Sequence, residues 1–355
     1  MSTPLAHFAR PSQLAATALL ATTLIGTAAH AGQSVCVFDL LGAQGPSAAF
    51  IKDYMLAMQK AGADLSVKVY TDERVAVEDF RTGQCDAVTA TGMRTRQFNS
   101  VAASLDSIGV STIVRNGKVD LPASYEVVHK AIETFSAPAA AKLMTEGNYE
   151  VAGIMPLGAV FPMVNDRKIS SVEGAAGKRI AAFDHDKAQA VMIQRIGAQP
   201  VSADVTTFAT KFNNGAVDII VAPALAYKPL ELFRGIGTKG AVSRYPMMIL
   251  SYQMIINRDK FPAGFGEKSR AYWLGNYDQA LKTITASEKD IPANVWMDFT
   301  ADDASRYTLM LREARIDIAQ RGIYDKRGLK VLKRIRCNIN PSDAECATQA
   351  ELDTK

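Results

Sequence analysis

The sequence predicts an α/β protein of two lobes, each built on its own parallel or mixed sheet, with hinge strands between them and a helical C-terminal tail. Three observations carry that prediction. Two stretches of the chain share a strand, helix, strand, helix, strand grammar. The motif Phe80-x-x-Gly83-x-x-Asp86-x-Val88-x-Ala90 returns as Phe212-x-x-Gly215-x-x-Asp218-x-Ile220-x-Ala222, at a constant offset of 132 residues. Two long apolar runs, 149–165 and 246–257, lie where the chain has to pass from one unit to the other and back. With 355 residues, 48% of them hydrophobic and 21% charged, the chain is long enough to bury a large core in each lobe.

The elements follow in order. Residues 1–31 hold Arg10, an apolar stretch from Leu14 to Ile25 and the small-residue ending Ala29-His30-Ala31, the layout of a signal peptide cleaved before Gly32. The apolar stretch is shorter than the roughly 20 residues that span a bilayer. The mature chain is therefore expected in the periplasm. Residues 32–152 make the first lobe: a strand at 34–38, a turn with Gly42, Gly45 and Pro46, and a helix at 47–61 with Phe50, Ile51, Tyr54, Met55 and Met58 at helical spacing. A strand at 65–70, a helix at 74–82 ended by Gly83 and a strand at 86–90 complete it. The run 149–165, broken by Gly153, Gly158, Pro156 and Pro162, reads as a bent crossing strand. Residues 153–249 make the second lobe, with strands at 179–183, 199–201 and 218–222 and helices at 187–196 and 204–213. The run 246–257 crosses back, and 250–300 rejoins the first lobe. Residues 301–355 form the tail, with Tyr307, Met310, Leu311, Ala314 and Ile318 on one helical face and Arg306, Arg312 and Arg315 expected to face water.

Composition narrows the function. Forty Lys plus Arg against 36 Asp plus Glu leave a net charge of +4 with no block of like charge, which argues against a nucleic-acid surface. Of four His, two lie in the segment to be removed, and His129 with His185 cannot build a His-based metal site. The Gly42 to Gly45 turn lacks the third Gly and the acidic residue of a dinucleotide site, so no cofactor is expected. No nucleophile, base and orienting group stand at readable spacing, so the chain is not read as an enzyme. Asp184-His185-Asp186 reads as a polar helix start, with Asp184 as the cap. Four cysteines allow three pairings. The favoured one joins Cys337 to Cys346 across the turn-rich Asn338, Asn340, Pro341 and Ser342, leaving Cys36 with Cys85.

Between Tyr149 and Pro223 the chain carries Val151-Ala152-Gly153-x-x-x-x-Gly158, Asn165, Lys168-Ile169-x-Ser171, Gly177-Lys178-Arg179-Ile180, Gly197-Ala198-x-Pro200-Val201 and Gly215-x-Val217-Asp218. In this order and spacing it resembles the solute-binding proteins of tripartite ATP-independent periplasmic (TRAP) transporters, with weaker similarity from Ser34 to about Phe261. The resemblance implies a periplasmic binding protein-like fold of the class II type. It also implies a non-catalytic, two-lobed clamp that closes on a small ligand and delivers it to an inner-membrane transporter subunit; a monomer is expected. Two departures matter. The Arg with which the family grips a carboxylate falls at Ala181, and the Asn that usually precedes the Pro falls at Ala222. The expected ligand is accordingly mainly apolar or weakly polar, a lipid being one version. The alternative is a sensor or adaptor subunit that docks a membrane partner with weak or lost ligand binding.

Ligands of doubly wound sheets lie beyond the carboxyl ends of the strands. That rule selects Asp39, Gln44, Gly45 and Ser47 after the first strand and Thr91, Met93 and Arg94 after the third. From the second lobe it selects Phe183, Pro223 and Tyr227, and the resemblance adds Ala181 and Ala222 as the places of the family's two polar anchors. The crossing runs add Met155, Phe161 and Tyr252, with pliant Met able to mould to an irregular solute.

Overall fold

The computed structural model describes Met1 and residues 32–352, so the expected signal peptide lies outside the described residues. Eight strands form the frame: β1 (Gln33–Phe38), β2 (Leu65–Tyr70), β3 (Ala87–Thr91), β4 (Tyr149–Val164), β5 (Arg179–Phe183), β6 (Gln199–Ala203), β7 (Ile219–Pro223) and β8 (Met248–Asn257). Their spatial order is β2-β1-β3-β8-β4-β7-β5-β6. β1 runs parallel to β2 and β3, and β5 runs parallel to β6 and β7. The central β8 and β4 are antiparallel to each other and to the strand on either side. Such central strands are covered on both faces, and β3 and β8 accordingly read as near-continuous buried runs.

The expected two sheets are one continuous sheet. The crossing runs do more than link: β4 and β8 pair from Met248 opposite Val160 to Asn257 opposite Tyr149. Register shifts after Leu250 and after Met254, together with Gly158 at φ +119°, absorb the bend between the two halves. Gly153 brings a helix against this centre. A Cβ there would stand 2.2 Å from the Trp273 ring of helix Phe265–Gly275, so only glycine admits the contact.

The repeat has a physical basis. Asp86 and Asp218 each tie the start of their third strand to the first strand of the same half, accepting from Ser34 N at 2.9 Å and from Arg179 N at 3.0 Å. Their carbonyls in turn accept from Asn257 N, the last residue of β8, and from Asn165 N, the residue just after β4. Phe80 and Phe212 are buried beneath, and Gly83 and Gly215 take positive φ at the helix ends. The Arg179 guanidinium, donating to Asp218, holds that carboxyl down to about 2.

Both disulfides are present, Cys36–Cys85 with Cα atoms 5.8 Å apart and Cys337–Cys346 at 5.5 Å. The tail differs from expectation in one respect. Arg306 is exposed and Arg312 is half-buried, donating to Thr348 Oγ1 at 3.3 Å, but Arg315 is buried, paired with Glu345 at 3.1 Å and with Glu351 at 2.7 Å. The tail's last turn folds back over helix Ala301–Gln320 and brings acids to a face that the helix alone shows as basic. Among the described residues no helix is long and apolar enough to cross a membrane.

Candidate functional site

A cavity of about 400 Å³ opens beyond the carboxyl ends of β1, β3, β5 and β7, with β8 and β4 as its floor. Phe38, Leu157, Val160, Phe183, Val221, Met248 and Leu250 make much of its wall. These residues are apolar because the sheet they leave is buried on both faces, so the wall continues the core.

The polar groups come from loops and helix starts. Asp39, at the end of β1, accepts from Leu41 N at 2.8 Å and from Ala48 N at 3.0 Å, closing the turn into helix Pro46–Lys60. Gly45 makes room for it, since a Cβ there would stand 1.8 Å from Asp39 Oδ1. Glu73 is the first residue of helix Glu73–Arg81, one position earlier than the sequence suggests, and is buried in the cavity wall. Its Oε1 accepts from Thr91 N at 2.6 Å and its Oε2 lies 3.5 Å from Arg94 Nε. Burial pushes its carboxyl up, against the pull of Arg94.

Asp186, two residues beyond the expected Asp184, caps helix Lys187–Arg195 and lies 3.7 Å from Arg96, whose guanidinium sits over the Tyr324 ring. Gln189 accepts from Phe183 N at 2.7 Å and donates to the Ala181 carbonyl at 3.3 Å, fixing the end of β5. The Tyr252 hydroxyl donates to the Phe38 carbonyl at 2.6 Å and lies 2.6 Å from Thr89 Oγ1. Burial first, and then the nearby charges of Asp39 and Glu73, push that phenol far up. Lys228 and Asp290, 2.8 Å apart and partly exposed, stand at the rim.

Of the residues selected from sequence, the structure brings Asp39, Ser47, Thr91, Met93, Phe183, Pro223 and Tyr252 together around this cavity. Met155 faces an adjoining cavity of about 310 Å³ that shares Ser47, Leu157 and Tyr252 with the first. The others stand elsewhere. Gln44 is exposed on the turn, and Gly45 is buried behind Asp39. Arg94 is turned into Glu73. Phe161 packs edge-on against Trp296, and Tyr227 packs near Phe233. Ala181 is buried beside Val201 of β6, below the level of Phe183. Ala222 alternates with the lining residues Val221 and Pro223 and so points to the other face.

Sequence reasoning missed Glu73, Asp186, Gln189 and Phe38 as lining residues. One signal was available: Asp186-x-x-Gln189 has the spacing of a capping box, which marks a helix start at the end of β5. Glu73 had none, because its place in the wall depends on a nonlocal bond to Thr91.

This layout, two parallel triads around a shared antiparallel centre with a cavity between them, is the fold of TRAP periplasmic solute-binding proteins. The one from Desulfovibrio salexigens with bound orotic acid superposes at a TM-score of 0.68 and 13% identity, covering 86% of this chain and 99% of that one. The one from Sulfitobacter sp. NAS-14.1 with bound β-D-galacturonate gives 0.65 at 15% identity, covering 86% and 99%. Sequence carries the assignment further. Residues 56–351 match the family described as solute-binding protein AdeT 1/2. AdeT1 of Acinetobacter baumannii is 43% identical over 315 residues, 89% of this chain and 100% of AdeT1. The chain therefore belongs to the AdeT 1/2 family of solute-binding proteins.

Proposed function

We propose that this chain is the ligand-carrying subunit of a membrane transport system, acting as a periplasmic monomer. Its lobes, residues 32–152 with 250–300 and residues 153–249, close around a small, mainly apolar molecule and hand it to an inner-membrane partner. Family membership supports the binding role, and the TRAP-type fold supports delivery to a transporter. One observation carries the ligand class: the arginines around the cavity already have acidic partners. Arg94 lies against Glu73 and Arg96 against Asp186, and the position of the family's gripping Arg is Ala181.

A carboxylate entering this space meets hydrocarbon and other carboxylates, and burying it unpaired is unfavourable. An apolar solute gains roughly 25 cal/mol for each Å² it removes from water, with a few hydrogen bonds setting its orientation. A volume near 400 Å³ falls within the range of small-molecule sites. The test is native mass spectrometry on protein purified from its host, paired with a thermal-shift screen of organic acids, sugar acids, apolar alcohols and extracted lipids. A retained apolar molecule and a rise in melting temperature with apolar compounds are expected. A dicarboxylate or sugar acid that alone raises the melting temperature overturns the reading.

A further inference from the structure

We propose that the cavity selects an apolar amine, with the Asp39 carboxylate receiving the ammonium group. This rests on the reading above that an apolar solute occupies the space. Four carboxylates stand in the wall: Asp39, Glu73, Asp186 and Asp290. Three of them have a cation nearby, Arg94 at 3.5 Å, Arg96 at 3.7 Å and Lys228 at 2.8 Å. Asp39 has none: among the described residues no Lys, Arg or His nitrogen comes within the 4.0 Å of an ion pair.

Asp39 is 3% exposed, and two backbone N–H groups are its hydrogen-bond donors. A carboxylate has about four acceptor sites, so capacity remains for a ligand. A buried carboxylate without a counter-charge is an unfavourable wall for an apolar cavity, and a ligand cation relieves it. Two side chains near it also present acceptors to the cavity. Tyr252 spends its proton on the Phe38 carbonyl, and Glu73 lies close enough to act on the same phenol as Asp39 does. Arg94 Nε and Arg96 Nη2 are buried without a hydrogen-bond acceptor, but neither residue lines the cavity.

Three probes on one skeleton decide the matter: 1-adamantylamine, 1-adamantanol and 1-adamantanecarboxylate, titrated calorimetrically at pH 7 into the full chain and into Asp39→Asn. Asn keeps one of the two acceptors that close the turn. The amine is expected to bind the native protein about tenfold or more tighter than the carboxylate, a charge-assisted margin that Asp39→Asn largely removes while alcohol binding stays within about twofold. A carboxylate that binds as tightly as the amine, or an amine preference that survives Asp39→Asn, overturns the proposal, while bound alcohol leaves the apolar reading standing. Binding by none of the three overturns both. Should Asp39→Asn fail to fold, the ranking of the three probes on the native protein still decides.

Discussion

Gly45 shows how far one missing carbon shapes the site. Its Cα stands where a side chain would enter the Asp39 carboxylate, with the Cβ 1.8 Å from Oδ1. Gly45→Ala must therefore push Asp39 out of the turn it closes. Overpacking of this kind costs about 1–3 kcal/mol, so a lower melting temperature is expected, together with a smaller ligand-induced shift. An unchanged melt means that the turn relaxes freely. His185 offers a second residue-scale test. Burial first, then the charges of Arg94 and Arg96, hold its pKa down to about 4. In the unfolded chain it takes up a proton near 6.5, so between about 6.5 and 4 the unfolded state binds more protons and stability falls as pH falls. His185→Gln removes this contribution. The difference in melting temperature between pH 7 and pH 4.5 is expected to shrink in the variant; an identical difference refutes the assignment.

At the scale of elements, the tail is held by charge as much as by its disulfide. Arg336 pairs with Glu345 at 2.6 Å and with Glu351 at 3.1 Å, beside the pairs that Arg315 makes. Burial alone would raise Glu345, yet Arg336 and Arg315 outweigh it and hold the carboxyl down to about 2 from an ordinary 4.5. Its contribution is fully present above 4.5 and is lost as pH falls toward 2. Amide exchange in 340–352 is expected to accelerate over that interval before exchange in β1 or β3 does; simultaneous loss would show that the cluster does not act alone. The disulfides separate by loop length. The loop-entropy account gives about 4 kcal/mol for the 49-residue separation of Cys36–Cys85 and about 2.7 kcal/mol for the 9-residue Cys337–Cys346. Paired Cys→Ala variants should melt in that order. The same locality explains what could be read in advance. The strand and helix grammar, the Phe80 and Phe212 repeat and the tail disulfide rest on neighbours in sequence, and each is visible there. The burial of Arg315 depends on acids 30 and 36 residues away, and the single sheet depends on β4 finding β8, so neither could be read from spacing. Glu73 was missed for the same reason, its carboxylate being fixed by Thr91, 18 residues on.

Across the whole molecule, the cavity exists because two parallel triads face each other over the shared strands β4 and β8. The residues that join the triads across the gap also wall it. Arg96 follows β3 in the first triad and Asp186 follows β5 in the second, and their 3.7 Å approach is one of the polar contacts that spans the two. Both side chains are mostly buried, 15% and 5% exposed, so the pair is screened less than a surface ion pair. Asp186 has a second task, capping helix Lys187–Arg195 through Ala188 N and Gln189 N. Asn caps a helix about as well as Asp, so Asp186→Asn removes charge from the contact and leaves the cap in place. If closure draws on this pair, the variant keeps its melting temperature within a few degrees while its population shifts toward an open form. The radius of gyration measured by solution scattering should rise without ligand and return to the native value at saturation. Ligand affinity should fall by the fraction of closed form lost. A variant that melts well below the native protein shows that the cap, and not the contact across the gap, is the main role of Asp186. An unchanged radius and affinity show that closure rests on the apolar walls alone.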